Sequence, residues 1–164
     1  TNPGSGYFEW SSLDAGGSPA SGSARVVNDD TAAFSLALTQ CVPVSEGLSY
    51  SGAATLYIPP GQVSSGFAYL RLSWTSAPAC DGGWLETTTH PILSATGEWV
   101  RQSLTGVASP ATAQAVQIEV IVSKSTMGGQ LEVHVDDAVI VADEPLFADG
   151  FESGDLTAWS AVLP

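Results

Sequence analysis

A chain of 164 residues is long enough for one domain that buries roughly 70% of its extended-chain surface, and too short for two comfortable cores. Seventeen acidic residues against four basic ones (Arg25, Arg71, Arg101 and Lys124) give a formal net charge of −13. That excess repels phosphate backbones and anionic headgroups, which argues against nucleic acid and membrane surfaces as partners.

Seventeen Gly and ten Pro beside a single Met favour short strands and turns, and almost no α-helix is expected. Residues 16 to 23 form a Gly/Ser loop before a short strand at Ala24 to Asn28, and Asn28-Asp29-Asp30 reads as the next turn. A strand from Phe34 to Val44 follows with Phe34, Leu36 and Leu38 inward. Glu46-Gly47 turns the chain into a strand from Tyr50 to Ile58, which Pro59-Pro60-Gly61 ends by removing ladder donors. In the strand from Phe67 to Trp74, Ala68, Leu70, Leu72 and Trp74 read as core, so Phe67, Tyr69, Arg71 and Ser73 face the other way. A further strand piece begins at Gly97-Glu98-Trp99-Val100. From Ala115 to Val122 the residues Val116, Ile118, Val120 and Val122 share one face, with Gln117 and Glu119 on the other, and a last strand runs from Leu131 to Val141. Such half-buried strands need a second sheet over them, so the expected fold is all-β, a two-sheet antiparallel β-sandwich of jelly-roll type. The sandwich is expected over residues 1–145, with 146–164 a tail or a strand closing the same sandwich.

No apolar run approaches the ~20 residues needed to span a bilayer. The polar start carries no charged and then apolar leader, so a signal peptide would already have been removed. Cys41 and Cys80 fit a disulfide in a secreted chain; the alternative is two reduced core thiols.

Taken in order, Gln40-Cys41-Val42-Pro43-Val44 with Glu46-Gly47 and Tyr50, then Thr96-Gly97-Glu98-Trp99, then Pro110 with Ala113, and Val135-Asp136-Asp137-Ala138-Val139 resemble the jelly-roll carbohydrate-binding modules appended to bacterial cellulases and xylanases. The resemblance implies a glycan-binding, non-catalytic protein tethered to a catalytic or surface domain. It implies a structural role for Trp99, and a calcium near Asp136 or Asp137. The Phe-Glu-x-Gly pattern that opens such modules stands here at the C-terminus, as Phe151-Glu152-Ser153-Gly154 followed by Trp159. With Asp149 and Glu152 beside Asp137, the tail supplies hard oxygen donors of the kind a structural calcium takes, although acidic turns are commonly only solvated.

Pyranose rings present C–H faces that stack on aromatic rings, and hydroxyls that suit carboxylates, amides and Arg. If their strands are neighbours, Tyr57, Tyr69, Arg71, Trp84, Glu86, Gln117 and Glu119 line one open face, with Trp84 exposed after Asp81-Gly82-Gly83. The competing expectation is that these aromatics cover an edge or pack under loops. An enzyme is not expected: no nucleophile elbow or phosphate loop occurs, and His134 between Glu132 and Asp136 reads as a hydrated strand face. The sequence thus points to a secreted module that binds a plant or microbial polysaccharide of the β-glucan or xylan type. The alternative is a structural or adhesive sandwich with no glycan binding.

Overall fold

The computed structural model describes residues 6–18, 20–94 and 97–143. Among them the chain forms ten strands and no helix: β1 Tyr7–Ser11, β2 Ser23–Asn28, β3 Ser35–Pro43, β4 Ser49–Tyr57, β5 Gly66–Thr75, β6 Trp84–Thr89, β7 Leu93–Ser94, β8 Trp99–Ala108, β9 Ala115–Lys124 and β10 Leu131–Ala142. All pair antiparallel. The first sheet has the order β1-β2-β10-β4-β8, and the second has β3-β9-β5-β6 with β7 also on β5. The expected β-sandwich is therefore the observed one.

Alternation builds the interior. Ala68, Leu70, Leu72 and Trp74 of β5 are all fully buried, as their shared parity requires, and they meet Ala54, Leu56 and Ile58 from the β4 segment. Val116, Ile118, Val120 and Val122 of β9 complete the second sheet's inner face, while Val26, Val133 and Val135 line the first. Leu36 and Leu38 pack against this core, but Phe34 lies just before β3 and is 48% exposed, so its expected inward position is corrected. β1 and β7 were not expected as strands, and β6 only through Trp84 and Glu86. Their exposed, broken patterns carry little alternation, and pairing with a longer neighbour holds them in the sheets.

Between β6 and β7 the edge of β5 loses its strand partner at Leu70, and a buried glutamine repairs the gap. Gln102 of β8 accepts from Leu70 N at 2.7 Å and donates Nε2 to Pro91 O at 3.1 Å. His90 N donates to Leu70 O, so this break leaves neither backbone group of Leu70 orphaned. Asp137 (φ 48°) sits in a bulge of β10 between Asp136 and Val139. The tail from 146 onwards lies outside the described residues, and with it the expected closing strand, Asp149 and Glu152.

Candidate functional site

The outward side chains of the second sheet enclose a groove of about 240 Å³ lined by Arg71, Ser73, Trp84, Thr87, Gln117 and Glu119. Register explains the grouping. Arg71 lies opposite Glu119, Ser73 lies opposite both Gln117 and Thr87, and Thr75 lies opposite Trp84, so three strands deliver neighbouring side chains to one surface.

The polar floor is organised around Glu119, which is only 5% exposed. Arg71 donates from Nε to Oε2 at 2.6 Å and from Nη2 to Oε1 at 2.8 Å, and Ser73 Oγ donates to Oε2 at 2.6 Å. A carboxylate this dry needs such partners, and the bidentate fork also fixes the guanidinium plane. Hydrogen bonding to Glu119 raises the Arg71 pKa above its ordinary value against the opposing effect of burial. Thr87 Oγ1 lies 3.4 Å from Ser73 Oγ and carries the polar row to the rim.

Trp84 stands at that rim, 53% exposed. It follows Gly83, whose φ of 63° is left-handed and where a Cβ would crowd Ser76 Oγ, so a side chain there would be strained. Cys41 and Cys80 are joined, Cα to Cα 5.9 Å. Because Cys41 is on β3 and β9 lies between β3 and β5, the bridge ties the turn before Trp84 across β9 to the far edge of the sheet.

The structure thus brings together Arg71, Trp84, Gln117 and Glu119 from the residues expected at the site. It adds Ser73, which shares their parity, and Thr87, which lies on a strand that periodicity did not reveal. Tyr69 is on the same face, half-buried and stacked on Phe67 with ring centroids 6.1 Å apart, and extends the surface beyond Arg71. Two positions need correction. Tyr57 belongs to β4 in the first sheet, so its outward side is the opposite surface of the molecule, where it packs against Trp99 at 5.4 Å and His134 at 5.9 Å. Glu86 pairs with the core residue Trp74, and the irregularity between Trp74 and Thr75 puts Trp84 and Glu86 on opposite sides despite their spacing of two.

On the first sheet's outer surface His134 is 4% exposed, with Nδ1 3.1 Å from Ser23 Oγ and Nε2 2.8 Å from Glu132 Oε1. This string resembles a catalytic relay only on paper, since serine and histidine are both buried. The face expected to be hydrated is instead an ion-pair network in which Arg25 joins Glu9 and Glu132. Hydrogen bonding from Arg25 holds the Glu132 carboxyl below its usual range. Among the described residues Glu119 is the one carboxylate that lines the groove of the second sheet, and they form no facing acid pair of the glycosidase kind there.

Both oxygens of Asp136 are already engaged. Oδ1 accepts from Asp137 N at 2.8 Å and Oδ2 from Ala15 N at 2.9 Å. Among the described residues no group of three or more acidic, His or Cys side chains is arranged to hold a metal.

No family description matches the sequence, and no curated protein matches it. Solved structures share the fold. A structure solved to explain the promiscuous specificity of β-sandwich carbohydrate-binding modules superposes with a TM-score of 0.62 at 11% identity, covering 84% of this chain and 53% of that one. The C-terminal family 22 carbohydrate-binding module of Clostridium thermocellum Xyn10B gives 0.57 at 20% identity, over 86% of this chain and 83% of that one. The enzymatically active domain of bacteriophage CBA120 tailspike protein 4 gives 0.63 at 11% identity over 87% of this chain, but the match spans only 18% of the tailspike chain. The fold is thus one that several carbohydrate-binding module families use, here in a chain that spans about half the length of the first of these structures. At these identities the likeness concerns the fold alone.

Proposed function

We propose that this protein is a non-catalytic module that binds a polysaccharide of the β-glucan or xylan type in the outer groove of its second sheet. One observation carries the reading: an exposed Trp84 stands beside a hydrogen-bonded Arg71–Glu119–Ser73 set with Gln117 in the same groove. An indole supplies the apolar platform for a sugar ring, and the polar set supplies donors and acceptors for its hydroxyls at little ordering cost. Tyr69 and Phe67 lengthen the surface along β5. The disulfide supports an oxidising, extracellular setting, and tethering to a catalytic or surface domain follows the usage of the modules that share the fold.

Trp84→Ala is expected to weaken glycan binding roughly tenfold or more, the effect of losing a stacking anchor, while changing stability by no more than about 0.5 kcal/mol because the side chain is exposed. Affinity electrophoresis through gels containing β-glucan or xylan, with thermal melting alongside, checks both. Equal retardation of wild type and variant would remove Trp84 from the site, and no retardation of wild type on any glycan would count against the function. A structural or adhesive role is the second reading. Trp10, 70% exposed, and Phe8, 47% exposed, favour it, since they leave apolar rings open on the edge strand β1.

Calcium belongs to the proposal as a structural ion held by Asp136 and Asp137 together with the tail carboxylates Asp149 and Glu152. A rise in Tm on adding calcium that Asp137→Ala abolishes is the expected result. An unchanged Tm in calcium and in chelator removes the ion from the account.

A further inference from the structure

We propose that Glu119 restricts the groove to uncharged glycans and rejects polyuronates, a specificity that rests on the glycan-binding reading of the same groove. Recognition of a sugar carboxylate needs a cation with free donors aimed at the ligand. The chain has four basic residues, and only Arg71 lies on this surface. Arg25 is held by Glu9 and Glu132 on the opposite sheet, and Arg101 belongs to β8 of that sheet. Lys124 shares the second sheet but is 2% exposed on its inward side, where Nζ donates to the carbonyls of Asp30 and Gly129.

Arg71 in turn commits Nε and Nη2 to Glu119. The pair contributes no net charge, so the floor presents hydroxyls from Ser73 and Thr87, the Gln117 amide and a neutralised fork. Neutral polyols both donate and accept, which such a floor can answer. A ligand carboxylate would bring a second anion against Glu119 with no spare cation to compensate, inside a molecule whose formal net charge is −13. Two features set the preference: the charge of one buried residue, and the bidentate geometry that sets the guanidinium's charge directly against that carboxylate.

Calorimetry at low salt with xylohexaose, cellohexaose and hexagalacturonate tests this on the full chain. Wild type is expected to bind a neutral hexamer and not hexagalacturonate. Glu119→Gln keeps the side-chain shape while removing the anion, and is expected to raise hexagalacturonate affinity roughly tenfold or more, about the effect of one charge-assisted hydrogen bond. Salt near ~0.5 M should erase that gain. Because Glu119 is buried and its loss threatens folding, Thr87→Lys is the second variant: it adds a cation at the rim, leaves the Arg71–Glu119 pair intact, and should produce the same gain. Wild type that binds hexagalacturonate as well as the neutral hexamers overturns the proposal, as does a folded Thr87→Lys chain with no gain. Wild type that binds no neutral hexamer is a different failure, that of the glycan-binding reading itself.

Discussion

Trp74→Ala is expected to cost about 3–5 kcal/mol of folding stability, seen as a fall in Tm of roughly 8–15 °C. Trp74 is fully buried in β5, and its ring meets Tyr50 of β4 edge-on at 5.6 Å and 64°, so it joins the two sheets across the core. Alanine would remove that contact and leave a cavity that the paired strands on either side are too constrained to close. One detail sharpens the test. Trp74 Nε1 is buried without a hydrogen-bond partner among the described residues, so this tryptophan carries an unmet donor as well as a large apolar surface. Trp74→Phe keeps a ring against Tyr50 and removes the donor, and is therefore expected to cost about 2 kcal/mol or less. Urea unfolding followed by circular dichroism measures both. An alanine variant that loses less than about 1 kcal/mol would contradict the assignment of Trp74 as a packed bridge between sheets.

Removing the Cys41–Cys80 bridge, as the double substitution Cys41→Ser with Cys80→Ser, is expected to destabilise the fold by about 4 kcal/mol. The bridged residues are 39 apart in sequence, and opening a loop of that size returns that much freedom to the unfolded chain. The same change should weaken glycan binding, because the bridge anchors the turn that delivers Trp84 to the groove rim. Comparing unfolding and glycan affinity of the oxidised chain with those of the variant separates the two effects. A fall in stability with unchanged affinity would show that the local bonds of the turn hold Trp84 by themselves, namely Thr75 Oγ1 to Gly82 O and Ser76 N to Gly83 O.

The core was legible wherever a strand buries one face only. Along β5 and β9 the alternation named the core-facing side chains correctly, since a side-chain period of two fixes which set meets the interior, although Ser73, Thr75, Glu119 and Ile121 of the other set are buried as well. It also placed Arg71, Gln117 and Glu119 outward. The exposed Trp84 followed from its two preceding glycines, and the structure adds why the second must be glycine. Edge strands β1 and β6 were harder to read, because on an edge the pattern that marks burial fades while the hydrogen bonds persist.

Tyr57 and Glu86 mark where local reading fails. Parity says that a side chain points away from the core, yet a sandwich has two outsides, and only the pairing of β4 with β10 and β8 assigns Tyr57 to the surface opposite the groove. For Glu86 a single irregularity in the β5–β6 ladder reverses the expected side, and no residue type in Trp84-Leu85-Glu86 announces it.

By itself the sequence determined that this is an acidic, helix-poor chain of half-buried strands with a pair of cysteines and a set of outward polar and aromatic side chains. The tertiary structure decided which of those side chains share a surface, and that Arg71 and Glu119 cancel each other's charge within it. The reason is physical: alternation is a property of neighbouring residues along one strand, whereas a groove is made by pairing between β5, β6 and β9, and β9 lies far along the chain from its partner β5.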